Sequence, residues 1–100
     1  MTLAEYIIQD AVRAFTVEPS KIYSKDRTRD VSEARDACIW LIKERLGLSN
    51  GEIGIIIGFR LPSTICYSLK RTRKRLKCNS EEDEDFKHRL TIAKRLCKKN

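Results

Sequence analysis

A glycine turn between two helical patterns, in the second half of the chain, is the feature that most limits the fold. The first pattern begins at Ser49, three residues before Glu52, a spacing that fits a capping box. Gly58 supplies the turn, and Pro62 suits the first position of the next helix because a proline there leaves no N–H unsatisfied. Two helices joined in this way predict a helix-turn-helix, although many core helix pairs share the pattern.

The second of these helices, expected over about residues 62–77, is basic, and residues 60–77 include no acidic side chain. The apolar face expected to pack carries Ile65, Leu69, Thr72 and Leu76. The opposite face carries Ser63, Tyr67, Lys70, Arg71 and Lys74. A basic helix binds a phosphate polyanion favourably because it releases condensed counterions, so nucleic acid is the first partner to consider. A solvated face on an ordinary core helix remains an alternative, as does inward packing for Tyr67.

Apolar residues at helical spacing predict helices in the first half of the chain as well. The first covers about residues 2–16, and a short second helix follows, with Ile22 and Tyr23 expected to feed the core. The segment 24–30 has no apolar period and is expected to be a loop. A third helix should end near Gly47, as expected for a glycine C-cap.

A last helix is expected to open at Ser80 with an acidic run, residues 81–85. The cations toward its end are Lys94, Arg95, Lys98 and Lys99. Both groups complement the helix macrodipole, so the acidic run is not interpreted as a metal site. No segment alternates long enough to require a strand. The predicted fold is a compact all-α bundle of about six helices, forming one domain over residues 1–100.

Composition narrows the class of protein. The net charge is +7 over 100 residues, with 41% hydrophobic and 35% charged residues, which indicates a folded basic protein without a membrane span. Anionic membrane surfaces and acidic proteins would satisfy the same net charge, so its distribution has to decide. The start of the chain lacks the pattern of a secretory signal, and a cytoplasmic location is expected.

Neither a metal site nor a catalytic site is predicted. The four cysteines lie far apart, form no C-x-x-C pair and are expected to be reduced thiols. The only histidine, His88, lies in a charged helical run without a nucleophile motif or a metal cluster. No cofactor and no enzymatic activity are therefore expected.

Most of the chain resembles the C-terminal DNA-binding domain of the bacterial replication initiator DnaA. Residues 17–22 follow the first helix as in that family, and residues 24–29 and 31–35 are similar to its basic loop. Residues 52–54 match the E-I-G start of a family helix, and residues 59–65 stand where the family carries G-R-D-H-T-T-V. The resemblance implies a Trp-repressor-like helix-turn-helix that binds duplex DNA for a bacterium or a mobile element. Because the chain has no G-x-x-x-x-G-K-[ST] phosphate loop of an ATPase module, it is not expected to be a complete initiator.

The resemblance also implies which residues contact DNA. Arg27 falls where the family places an arginine in the minor groove, and the neighbouring loop cations fall on backbone-contacting or adjacent positions. Arg60, Ser63 and Thr64 fall in the major-groove signature. With the outward residues of the basic helix, the expected DNA-binding set is Lys25, Arg27, Arg29, Arg35, Arg60, Ser63, Thr64, Tyr67, Lys70, Arg71 and Lys74.

The chain departs from the family at positions that matter for recognition. Leu61 and Pro62 replace an aspartate and a histidine that could hydrogen-bond to base edges, so the family's usual site is not predicted. Phe59 replaces a glycine, which is unfavourable if the backbone there needs a positive φ. The acids that offset the loop cations are Asp26, Asp30, Glu33 and Asp36. Salt bridges from Arg27 and Arg35 to these acids remain an alternative to DNA contact.

Two functions are consistent with these patterns. The leading hypothesis is a sequence-preferring double-stranded DNA-binding protein that regulates replication or transcription, with a second copy or a replication or transcription protein as a further partner. The alternative is a protein-interaction module that antagonises or modulates a replication initiator or other regulator without reading DNA. The loop acids and the Leu61-Pro62 pair favour the alternative, whereas the uninterrupted basic helix favours DNA binding.

Overall fold

The computed structural model describes residues 2–78 and 80–97, and these residues form six α-helices and no strand. In chain order they are α1 (Leu3–Phe15), α2 (Pro19–Ile22), α3 (Arg29–Leu46), α4 (Asn50–Ile56), α5 (Pro62–Lys77) and α6 (Glu81–Cys97). The predicted all-α bundle is therefore confirmed. Lys98 and Lys99, expected near the end of the last helix, lie outside the described residues.

Local signals in the sequence set several of the helix ends. Ser49 and Glu52 form the predicted capping box, in which Ser49 Oγ accepts from the Glu52 amide at 3.2 Å and Glu52 Oε1 accepts from the Ser49 amide at 3.3 Å. Gly47 caps α3 in the left-handed region with φ 61°. Pro62 occupies the first turn of α5, and four carboxylates open α6.

The core lies on α3, which packs against each of the other five helices. Every helix contributes to it, as shown by the fully buried Ile8, Ile22, Leu41, Ile53, Ile65 and Phe86. α1 packs on α6 on one side of the molecule, and α4 packs on α5 on the other. Tyr23 was expected to feed the core, but it is 42% exposed because it lies past the end of α2. The four cysteines are free thiols, as expected.

The turn between α4 and α5 is built on close backbone approach. The Arg60 amide donates to the Gly54 carbonyl at 2.8 Å, and a Cβ at Gly54 would lie 2.1 Å from the Arg60 carbonyl oxygen. A glycine is therefore required in the middle of α4. Gly58 and Phe59 both adopt positive φ, at 98° and 60°. The predicted strain of a non-glycine residue at Phe59 is confirmed.

Among residues 2–78 and 80–97, none of the six helices has both the length and the hydrophobicity of a membrane-spanning segment.

Candidate nucleic-acid interface

The outer face of α5, defined here as Ser63, Tyr67, Lys70 and Lys74, points to solvent as predicted. Ile65 and Thr72 on the opposite side are fully buried, and they fix which way the helix faces. Tyr67 is 67% exposed, so inward packing does not explain it. Thr64, beside this face, is also exposed. The first half of the outer face offers hydroxyl groups and the second half offers ammonium groups.

The basic loop, residues 23–28, presents Lys25 and Arg27 to solvent. Neither side chain forms a hydrogen bond or ion pair with residues 2–78 or 80–97, so the salt-bridge alternative for Arg27 finds no support there. Asp26 is occupied within the loop, because its Oδ1 accepts from the Thr28 amide at 2.8 Å and its Oδ2 lies 3.5 Å from Lys21 Nζ. The hydrogen bond from Thr28 is the main reason that the pKa of Asp26 is lowered.

Arg35 was expected to contact DNA, but it lies under the loop, and the residue as a whole is only 8% exposed. It donates to the carbonyl oxygens of Ile22, Asp26, Lys21 and Ser24 at 3.0, 3.1, 3.1 and 2.9 Å. These contacts join the end of α2 to the loop, and the carbonyls of Ile22 and Asp26 have no other donor in residues 2–78 and 80–97. Burial, and then the nearby charge of Arg60, lowers the pKa of Arg35. Arg35 therefore acts as a brace that holds the loop.

Arg60 is also bonded to backbone carbonyls. Its Nη2 donates to the Ser24 carbonyl at 2.6 Å, and its Nη1 donates to the Ile57 carbonyl. Burial lowers the pKa of this guanidinium. Because Arg60 is folded back against the chain, it ties the basic loop to the turn that precedes α5. We call Arg35 and Arg60 the loop braces.

Arg71 is exposed but paired. Asp36, which is 3% exposed, accepts from Arg71 Nε at 2.9 Å, from Arg71 Nη2 at 2.8 Å and from Ser68 Oγ at 2.7 Å. The hydrogen bond to Asp36 raises the pKa of Arg71. The Arg71 side chain is 52% exposed, so one side of its guanidinium remains open to solvent. The triad of Asp36, Ser68 and Arg71 fixes the rotation of α5 on α3.

Arg29 and Arg75 share a further acid on α3. Glu33 Oε1 lies 3.2 Å from Arg29 Nε and 3.9 Å from Arg75 Nη1. Arg29 also lies 3.3 Å from Glu82 at the start of α6 and keeps a 60% exposed side chain. Arg75 lies over the Phe86 ring, 5.1 Å from its centroid. Arg75 therefore belongs to the scaffold, although the sequence places it in the basic run.

A cleft of about 810 Å³ separates the basic loop from α5. Lys25 and Arg27 line it on the loop side, and Thr64 and Arg71 line it on the α5 side. Asp36 is the only acid among the described residues that line it, and its carboxylate is already bonded to Arg71. The cleft is thus a positive surface shared by two elements far apart in sequence, which suits a phosphate backbone.

Two exposed cations of α5, Arg73 and Lys77, were missing from the expected set. Neither is paired with another side chain in the described part of the chain. Lys77 follows Ser63 by 14 residues, about four helical turns, and therefore lies on the same side of the helix. Helical phase alone could have identified it.

Comparison with known families agrees with this geometry. A model of the bacterial DnaA protein helix-turn-helix matches residues 4–72. The chain belongs to this family. The DnaA match includes the basic loop, the glycine turn and the first part of α5, whereas Lys74, Lys77 and α6 lie beyond it. Membership in the family supports a DNA-binding function of the DnaA type.

Individual DnaA proteins match over a longer stretch. The chromosomal replication initiator protein DnaA of Nautilia profundicola is 32% identical over 93 residues, which cover 90% of this chain and 21% of the initiator. That of Bacteroides fragilis is 31% identical over 93 residues, covering 93% of this chain and 19% of the initiator. That of Thermodesulfovibrio yellowstonii is 34% identical over 81 residues. The chain thus spans about a fifth of the length of these relatives.

Proposed function

We propose that this protein binds double-stranded DNA with a sequence preference, placing α5 in the major groove and Arg27 in the adjacent minor groove. The observation that carries the proposal is the cleft in which the exposed cations of the loop face α5 across a positive surface. α4 then lies across the backbone, as the first helix of a helix-turn-helix does. A module of this size buries about 600–1,000 Å² of its surface on DNA.

The proposed contacts divide by chemistry. Ser63, Thr64 and Tyr67 lie where the start of a recognition helix meets base edges. Cations beyond them contact phosphates and carry no sequence information. This phosphate-contacting set is Lys25, Lys70, Arg73, Lys74 and Lys77, with Arg29 and Arg71 contributing through the sides of their guanidinium groups that are not paired. The loop braces are left out because their guanidinium groups are directed at carbonyl oxygens of the chain.

We place this activity in the cytoplasm of a bacterium, in the regulation of replication or transcription, and in a single domain. The relatives named as chromosomal replication initiators support this role, although the chain corresponds to only about a fifth of their length. No catalytic role is proposed for the chain. The protein-interaction alternative loses one of its two arguments, because Asp26, Glu33 and Asp36 pair with Lys21, Arg29 and Arg71 rather than with Lys25 and Arg27.

Fluorescence anisotropy against a pool of random duplexes, at two or more salt concentrations, tests the proposal. We expect binding that weakens steeply as salt rises, because counterion release supplies most of the sequence-independent affinity. Absence of salt-sensitive binding would contradict a DNA-binding function. Size-exclusion chromatography with and without duplex reports whether a second copy joins the complex.

Two substitutions separate phosphate contact from base reading. Lys74→Ala should weaken binding to all sequences similarly, and it should reduce the slope of log K against log salt concentration (the salt slope) by about 1. Ser63→Ala should change the preference among sequences while leaving the salt slope nearly as it is. If both variants weakened all sequences equally, base reading by Ser63 would be excluded.

A further inference from the structure

The start of α5 carries two large apolar side chains that the fold does not use. Phe59 is 85% exposed and Leu61 is 69% exposed, although they flank Arg60, which is folded inward. Leu61 is the N-cap of α5, immediately before Pro62, and its side chain makes no cap hydrogen bond. Neither residue is explained by packing or by capping.

Phe59 carries a conformational cost as well. Its φ of 60° is in the left-handed region, where a residue with a Cβ is less stable than glycine. A strained residue that is also exposed contributes nothing to the core in return. Such outliers commonly lie at functional sites, so the strain indicates a role for the phenyl ring outside the fold.

The charges around this apolar pair decide what covers it. Phe59 lines the cleft together with Lys25 and Arg27, and Leu61 precedes the outer face of α5 with its lysines. No residue between Glu52 and Ser80 is acidic. A partner must therefore offer apolar groups inside a strongly negative surface. Duplex DNA meets both conditions, because the C5 methyl of thymine lies in the major groove between two phosphate backbones.

We propose that Leu61 and Phe59 form an apolar reader of thymine methyl groups at the leading end of α5. The inference rests on the proposed function and specifies the chemistry of the preferred site, which contains thymine where the N-cap of α5 meets the base pairs. At Leu61, apolar contact takes the place of hydrogen bonding to a base edge, and Phe59 adds a second apolar group. The adjacent hydroxyl groups of Ser63 and Thr64 supply the polar part of the recognition.

Substitution of uracil for thymine tests this directly, since it removes the methyl group and keeps the base-pairing edge. A duplex enriched from a random library is compared with copies in which single thymines are replaced by uracil, using fluorescence anisotropy. The wild type should lose about fourfold in affinity for each contacted methyl, at one or two positions. In Leu61→Ala, the ratio between thymine and uracil duplexes should fall to about 1 at one of those positions.

Leu3→Ala is the matched control, because Leu3 is 67% exposed and lies on α1, away from the cleft. It should keep the wild-type ratio. Phe59→Gly should raise the midpoint of thermal unfolding, since it removes the strain, and should also weaken the discrimination. Higher stability together with poorer discrimination between thymine and uracil would not result from a purely structural role of Phe59.

The experiment distinguishes failure of the methyl reader from failure of the proposed DNA-binding function. If the wild type binds duplexes in a salt-sensitive way but is indifferent to uracil at every position, the methyl reader is excluded and DNA binding stands. If Leu61→Ala and Phe59→Gly both retain the wild-type ratio, another group reads the methyl and the assignment is overturned. If no duplex is bound in a salt-sensitive way, the proposed function fails, and this inference fails with it.

Discussion

Two groups of cations in and around the basic loop and α5 serve different purposes. The loop braces and Arg71 direct their guanidinium groups at carbonyl oxygens or at a buried carboxylate. Lys25, Lys70 and Lys74 direct their ammonium groups at solvent and have no ionic partner in residues 2–78 or 80–97. The difference teaches that positive charge in this chain is a poor guide to DNA contact until its partners are known.

The division follows from the chemistry of the two side chains. Arginine has five N–H donors in a rigid fork, so one residue can satisfy several carbonyls at once. Lysine is a strongly hydrated point charge that loses more when it is buried. The cations that hold the loop and α5 in place are accordingly arginines at each of these three positions, whereas Lys25, Lys70 and Lys74 stay exposed.

Removal of Arg35, a cation bonded to the chain itself, should have the largest effect on stability. Arg35→Ala removes a donor from four carbonyl oxygens and leaves those of Ile22 and Asp26 with no other donor in residues 2–78 and 80–97. We expect the free energy of unfolding to fall by about 3 kcal/mol. Urea denaturation followed by circular dichroism measures it. The matched control is Arg73→Ala, on the exposed side of α5, which should change stability by less than about 0.5 kcal/mol. Equal effects of the two variants would remove the distinction between braces and surface cations.

Loss of the buried carboxylate should have the next largest effect. Asp36→Ala strands Ser68 and the two Arg71 donors, and we expect a loss of about 2 kcal/mol, less than for a fully buried pair because Arg71 is half exposed. Asp36→Asn keeps an acceptor and should lose less. A double-mutant cycle with Arg71→Ala isolates the pair, and a coupling near zero would show that the triad does not fix α5.

Several parts of this arrangement could be predicted from the sequence. The capping box at Ser49, the glycine cap at Gly47 and the proline at Pro62 are local signals, and each was confirmed because few other contacts compete at helix ends. The outer face of α5 was predictable from helical phase. The prediction that Tyr23 feeds the core was wrong, because periodicity cannot distinguish the last core residue of a helix from the first residue of a loop.

The division among the arginines could not be predicted. Arg35 meets its carbonyl partners 9 to 14 residues away, and Arg60 meets Ser24 across 36 residues. Sequence neighbours suggested pairing between the loop arginines and the loop acids instead. That held for Arg29 and Glu33, which are one helical turn apart, but Asp36 pairs with Arg71 on another helix. Long-range contacts are decided by how the helices pack, which local patterns do not encode.

A substitution at Arg27 tests the other group of the comparison, the cations that face solvent. Arg27→Ala should leave the free energy of unfolding within about 0.5 kcal/mol of the wild type, because the side chain has no described partner. It should reduce affinity for A·T-rich duplexes more than for G·C-rich ones, since narrow A·T minor grooves attract arginine. Anisotropy titrations with the two kinds of duplex check this. An unchanged preference would assign Arg27 to phosphate contact alone.

The smallest expected effect on the free energy of unfolding is that of Asp26, the acid in the basic loop. The hydrogen bond from Thr28 lowers the pKa of Asp26 below its ordinary value of 3.8, so this carboxylate stabilises the folded loop above that pH. The contribution should be lost as the pH falls through the lowered pKa. The difference in unfolding free energy between the wild type and Asp26→Ala should therefore shrink under acid conditions. A difference that grew below pH 3.8 would contradict the assigned direction.

The salt dependence of duplex binding in a surface-charge variant tests the central claim most directly. Lys25, Lys70 and Lys74 are replaced together by glutamine and compared with Arg95→Gln, an exposed cation of α6 away from the cleft. Three lost phosphate contacts should reduce the slope of log K against log salt by about 2 to 3, with no loss of helicity, while the control keeps the wild-type slope. An unchanged slope in the triple variant would show that DNA, if bound, lies elsewhere on the molecule.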